Sequence, residues 1–177
     1  DDALEKNKVV DAEERKKMAR EIFDIGKNGL YDALKSAPEI LFITAAGNSD
    51  NDVDFDEVIP SSFDLPNLVT VGAVDRAGDE TSFTSFGKNV IAYADGFEVN
   101  SHIPGGSHLK LSGTSMASSE VTNLAAKLFA LDPKLTPDNV IALIKQGLEP
   151  SKENAKILLL NPKKSIEALK AREAKKT

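Results

Sequence analysis

Six residues, Ser112-Gly113-Thr114-Ser115-Met116-Ala117, carry the densest chemical signal in the sequence. They open a run in which Ala117, Val121, Leu124, Leu128 and Leu131 step by four, three, four and three, the spacing of a helix with one buried face. A hydroxyl at a helix start lies at the positive end of the macrodipole, beside backbone N–H groups that have no partner within the helix. Such groups can hold the oxyanion of a tetrahedral intermediate while the hydroxyl attacks a carbonyl. Serine and threonine in that place also cap helices routinely. These six residues alone leave both readings of Ser115 and Thr114 open.

A serine nucleophile needs a base, usually histidine, and the chain has only His102 and His108. Both precede Ser115, which excludes the α/β-hydrolase order, where histidine comes last. Neither sits in a motif, and each reads as a loop or strand residue. The base is therefore expected from outside this sequence. A second group of chemically capable residues, Asp50, Asp52, Asp54, Asp56 and Glu57, alternates like a calcium loop. An EF-hand is rejected, because Phe55 stands where the loop needs glycine and Ser61 where it needs glutamate. The cluster reads as a solvated loop, with an adventitious cation site as the alternative.

These residues need elements to position them. Ile40 to Ala46 is a nearly continuous apolar run, which predicts a strand buried on both faces, as in a parallel sheet covered by helices. It ends at Gly47-Asn48-Ser49. A second run, Leu68 to Val74, follows a turn-rich stretch, and shorter strands are predicted at Val90–Ala94 and His108–Leu111. Residues 8–37 are charged, with Met18, Ile22, Ile25, Tyr31 and Leu34 at helical spacing; Gly26 and Gly29 allow two shorter helices there. Asp132-Pro133 ends the helix that starts near Ser115. Thr136-Pro137-Asp138 reads as cap, first helical proline and first-turn acid, with Val140, Ile141 and Ile144 as the buried stripe. Gly147 is the expected C-terminal stop, and Asn161-Pro162 opens a last helix with Ile166 and Leu169, fraying through a lysine-rich end at 168–177. Strands interleaved with helices predict an α/β fold.

Four segments resemble the subtilisin family of serine peptidases, in that family's order and near its spacings, over roughly residues 38 to 170. Gly113 to Ala117 resembles its nucleophile motif, and Thr44-Ala45-Ala46-Gly47-Asn48 its oxyanion-hole motif. Pro66 to Asp75 resembles the next buried strand, and Thr81 to Gly87 the serine/phenylalanine turn after it. The resemblance implies a three-layer fold with a mainly parallel sheet and an endopeptidase that hydrolyses peptide bonds through an acyl-enzyme. It implies Ser115 as nucleophile, with Asn48 donating its side-chain amide to the oxyanion beside the Ser115 N–H, and Thr114 supporting that hole. It further implies Ala45, Ala46 and Gly47 as one wall of the pocket for the substrate side chain before the cut bond. Met116 would be sensitive to oxidation. No cofactor is implied; Asp75 lies where some relatives place a cation ligand, so a structural Ca²⁺ stays open.

The sequence also departs from the family. Nothing resembles the glycine-flanked histidine or the aspartate strand, and Asp1, Asp2, Asp11 and Asp24 lie in the charged helical segment, where none is assigned the role. Ser119 and Glu120 stand where the family usually has proline and histidine. The expectation is a charged helical segment over 1–37, the C-terminal part of a catalytic domain over 38–170 and a solvated tail over 171–177. The missing N-terminal part of that domain is the expected partner, and this chain alone is expected to be inactive. The alternative is a non-catalytic interaction domain with the same shape.

Composition narrows the classes further. A net charge of -6 without a clustered basic patch argues against nucleic acid as a partner. The absence of cysteine excludes disulfides, thiolate metal cages and a cysteine nucleophile. No apolar stretch approaches the roughly 20 residues of a membrane helix, and residues 1–6 do not read as a signal peptide. Export is favoured by the resemblance alone.

Overall fold

The computed structural model describes residues 11–174. The first residues of the predicted 8–37 helix, and the last of the lysine-rich tail, lie outside that range. The chain divides into two compact units, Asp1–Ala37 and Pro38–Thr177.

Among the described residues the first unit holds one helix, α1 (Ala12–Lys35). Asp11 caps it by accepting the Glu14 N–H at 2.8 Å, and Glu13 and Glu14 in the first turn suit the dipole. The helix runs unbroken through Gly26 and Gly29, contrary to the two-helix alternative. Ion pairs such as Arg20–Asp24 at 3.0 Å add only a few tenths of a kcal/mol, roughly, at an exposed i,i+4 position.

The second unit is built on a five-stranded sheet in the order β1-β2-β3-β7-β6. The strands are β1 (Phe42–Ala45), β2 (Leu68–Val74), β3 (Val90–Asp95), β6 (Glu149–Pro150) and β7 (Leu158–Leu159). All neighbours are parallel except β6 and β7. β2 is central and buried along its whole length, as its Val-rich sequence requires. β1 differs from expectation: all four of its residues are half-buried, because it lies at the end of this sheet with a partner on one side only.

Three helices follow: α2 (Thr114–Leu131), α3 (Pro137–Gly147) and α4 (Pro162–Ala174). The helix α2 packs on β1, β2 and β3 through Ala117, Val121, Leu124 and Leu128, the residues its spacing marked. Each leucine buried there is worth about 1.5–3 kcal/mol of transfer free energy. Val140, Leu143 and Ile144 of α3 and Leu169 of α4 complete the same core. Thr136 caps α3 as predicted. Gly147, however, is not a left-handed stop. It is the last helical residue, and a Cβ there would fall 2.7 Å from the Ser165 backbone nitrogen, so glycine lets α3 and α4 approach closely. A second core joins Val74 of β2 and Val90 and Tyr93 of β3 to the loop residues Ala46, Val53 and Ile157.

Between β3 and α2 the chain makes a separate two-stranded antiparallel hairpin, β4 (Val99–His102) and β5 (His108–Leu111). The strand at His108–Leu111 is as predicted; β4, which lacks an apolar run, was not expected.

Candidate active site

The end of β1 and the start of α2 meet through hydrogen bonds between residues far apart in sequence. Asn48 Oδ1 accepts the Thr114 N–H at 2.9 Å and the Thr114 hydroxyl at 3.0 Å. The Thr114 Oγ1 in turn accepts the Gly47 N–H at 3.1 Å. Because a backbone N–H can only donate, the Asn48 atom facing Thr114 is the oxygen, and Nδ2 is turned away with its two hydrogens available. Gly113 leaves room for that amide: a Cβ on it would lie 3.2 Å from Nδ2.

The N-cap of α2 is Gly113, and no side chain caps the helix. The capping reading of Ser115 and Thr114 therefore fails. Thr114 is buried and committed to Asn48 and Gly47, while Ser115 is exposed one residue further into the first turn. The Ser115 N–H belongs to the orphan donors of the helix start, and none of the described residues accepts it.

Other residues hold this junction from behind. Ser85, from the 81–87 turn, donates its N–H to the Gly47 carbonyl at 2.9 Å, and its hydroxyl oxygen accepts the Ser49 N–H at 3.3 Å. Gly47 has φ of 124°, a conformation that favours glycine. Ser61 donates its hydroxyl to the Ala45 carbonyl at 2.8 Å. Ala45 and Gly47 are half-buried, whereas the Ala46 methyl is wholly inside the second core. Gly96 was not singled out from the sequence. A Cβ there would be 2.8 Å from the Gly113 carbonyl and 2.7 Å from the Ala73 Cβ, and its own carbonyl accepts the Gly113 N–H at 2.8 Å. An isolated glycine after a strand was the available signal.

The two histidines are elsewhere. His102 and His108 face each other across the hairpin, three positions out from the Val99–Leu111 pair at its base, or about 10 Å along the strand. Among the described residues no hydrogen bond joins either of them to Ser115. Glu120, in the second turn of α2, has its carboxyl pushed up, first by burial of that carboxyl and then by the negative Asp95, against a hydrogen bond from the Asp95 backbone. Much of Glu120 still reaches solvent.

The acids after Asn48 serve the loop itself. Asp54 accepts the Lys88 N–H and an Asn89 amide hydrogen, each at 2.7 Å, and Asp52 accepts the Asp54 N–H at 2.9 Å. Asp75 likewise closes its own turn, accepting from Ala77 and Asp79. Among the described residues no group of three or more acidic or histidine side chains is placed to hold a metal ion. No described helix is long and apolar enough to cross a membrane.

The chain is similar to known proteins in sequence and in fold. The profile of the subtilase family matches residues 7–161. The chain is 33% identical over 143 residues to the subtilisin-like serine protease Pen ch 13 of Penicillium rubens, which spans 77% of this chain and 35% of that protein. It is 42% identical over 101 residues to subtilisin-like protease 7 of Trichophyton equinum, covering 56% of this chain and 24% of the other. The chain thus spans about a third or less of the length of these relatives. Among solved structures, a cold adapted subtilisin-like serine proteinase superposes with a TM-score of 0.64 at 28% identity, over 70% of this chain and 45% of that one. The self-cleaved protease domain of PatA gives 0.66 at 28% identity, over 80% and 55%.

Proposed function

The chain belongs to the subtilase family, and from that premise we propose that it carries the nucleophile and oxyanion hole of a serine endopeptidase. Ser115 Oγ attacks the carbonyl carbon of a peptide bond, and its proton passes to a histidine base, oriented by an aspartate, both lying outside this sequence. Negative charge gathers on the former carbonyl oxygen, where the Asn48 Nδ2–H and the Ser115 N–H receive it. Collapse of the intermediate breaks the C–N bond, the base returns the proton to the leaving amine, and water then hydrolyses the acyl-Ser115 ester. Thr114 is a positioning residue: it grips the Asn48 oxygen and so aims Nδ2. Ala45 and Gly47, with the backbone of Ala46, line the adjoining pocket.

The single observation that carries this reading is the bond of Asn48 Oδ1 to Thr114. It ties the amide to the residue immediately before Ser115 and leaves Nδ2 unspent. An oxyanion site needs donors fixed before charge develops, and that bond fixes one. The chain by itself, without a base beside Ser115, is expected to turn over no substrate.

The test is reaction of the native preparation with a fluorophosphonate, read by intact mass under denaturing conditions. The proposal expects an adduct on Ser115, absent from Ser115→Ala, and present where a second polypeptide supplies histidine and aspartate. Peptide hydrolysis that persists in Ser115→Ala would overturn it. A complete assembly that binds peptides, takes no adduct and hydrolyses nothing would instead mark a non-catalytic interaction domain.

A further inference from the structure

The hairpin has two unlike faces. Val99, Ser101, Leu109 and Leu111 fall on one, while Asn100, Lys110, His102 and His108 fall on the other, by the alternation of antiparallel strands. His102 and His108 are direct cross-strand partners. The next pair outward, Ile103 and Ser107, is hydrogen-bonded, with the Ile103 N–H donating to the Ser107 carbonyl at 2.9 Å. The histidine pair therefore occupies a non-hydrogen-bonded position, where opposing side chains come closest. Their ring centroids are 4.0 Å apart, with the planes inclined at 56°. Both residues are exposed.

We propose that His102 and His108 form a binding site for a late first-row divalent transition metal ion, such as Ni²⁺, Cu²⁺ or Zn²⁺. Neutral imidazole nitrogens are the donors these ions select. Two nitrogens each about 2.0–2.1 Å from one ion stand about 3 Å apart, a separation that rings at this spacing reach by rotation of their side chains. The strands supply the preorganisation, since the register holds both Cα atoms opposite each other before any ion arrives. The charge on the same face that would oppose a cation is the Lys110 ammonium, and Glu98 pairs with it at 3.3 Å. No third protein ligand stands nearby among the described residues, so water fills the remaining positions and the site is open. An ion there clips β4 to β5 near the tip of the hairpin whose base leads through Ser112 to Ser115. The inference does not depend on the protease reading.

Calorimetric titration of the full chain with NiCl₂, in buffer free of chelators near neutral pH, is the test. The expected result is a single ion per chain, bound at least about tenfold more weakly by His102→Gln and by His108→Gln. In the unmodified chain, imidazole NMR signals of both rings shift together as Zn²⁺ is added. Unchanged affinity in either variant, or a shift of one ring alone, overturns the proposal. So does binding that survives in the double variant, which is an adventitious ion only.

Discussion

The junction around Asn48 and Ser115 and the hairpin Val99–Leu111 adjoin through Ser112 and Gly113, yet they are held by opposite means. At the junction, Gly113 and Thr114 are buried and Asn48, Gly47, Ser85 and Gly96 interlock through hydrogen bonds across stretches of up to 67 residues. In the hairpin every residue of β5 is exposed, and order rests on its own ladder, an exposed ion pair and the bond of the Glu98 N–H to the Ser112 hydroxyl. The site, unlike the hairpin, is positioned by close backbone approach and buried polar partners. The apolar side chains of α2 anchor the helix but leave the aim of its first turn to Thr114 and Gly113.

The comparison breaks most readily at Gly96. Gly96→Val puts side-chain atoms where the Ala73 Cβ and the Gly113 carbonyl already stand. The expected loss is about 3 kcal/mol or more in urea unfolding. A loss below about 0.5 kcal/mol would mean the junction is as forgiving as the hairpin. Thr114→Val comes next. It keeps the shape but leaves the Gly47 N–H without its acceptor and Asn48 without a hydroxyl donor, for about 1–3 kcal/mol. At the other extreme, Leu109→Ala changes a residue that is 47% exposed, and its effect is expected within about 0.5 kcal/mol.

Glu120 sharpens the contrast by direction. A carboxyl whose pKa is raised by folding keeps its proton longer in the folded chain than in the unfolded one. The stability it lends is whole below the ordinary carboxylate range and is lost as pH rises through the raised value. Glu120→Gln is therefore expected to raise Tm at neutral pH and to leave it unchanged in acid. A variant less stable at neutral pH would show that the ionised group is favoured where it stands.

Much of this was legible from the residues. The α2 stripe, the Thr136 cap and the strands at Leu68–Val74 and His108–Leu111 carry strong periodic or capping signals. The family also followed from four short segments in order. What escaped was set by neighbours far along the chain. The run Ile40–Ala46 looked fully buried, but burial depends on which strands flank it. β4 has no apolar run and exists because β5 pairs with it. Gly147 looked like a helix stop, and only α4 reveals it as a contact point. Ser115 and Thr114 looked like caps as much as chemistry, until Thr114 was found bound to Asn48, a residue 66 positions away.

The proposed role of Asn48 as an oxyanion donor is tested most directly by kcat and KM for Asn48→Ala in the chain assembled with its proposed histidine and aspartate. Loss of such a donor costs subtilisin itself about 10²–10³ in kcat, and the same fall is expected here with KM nearly unchanged. A kcat within about twofold of the parent, with Ser115 still essential, would contradict it.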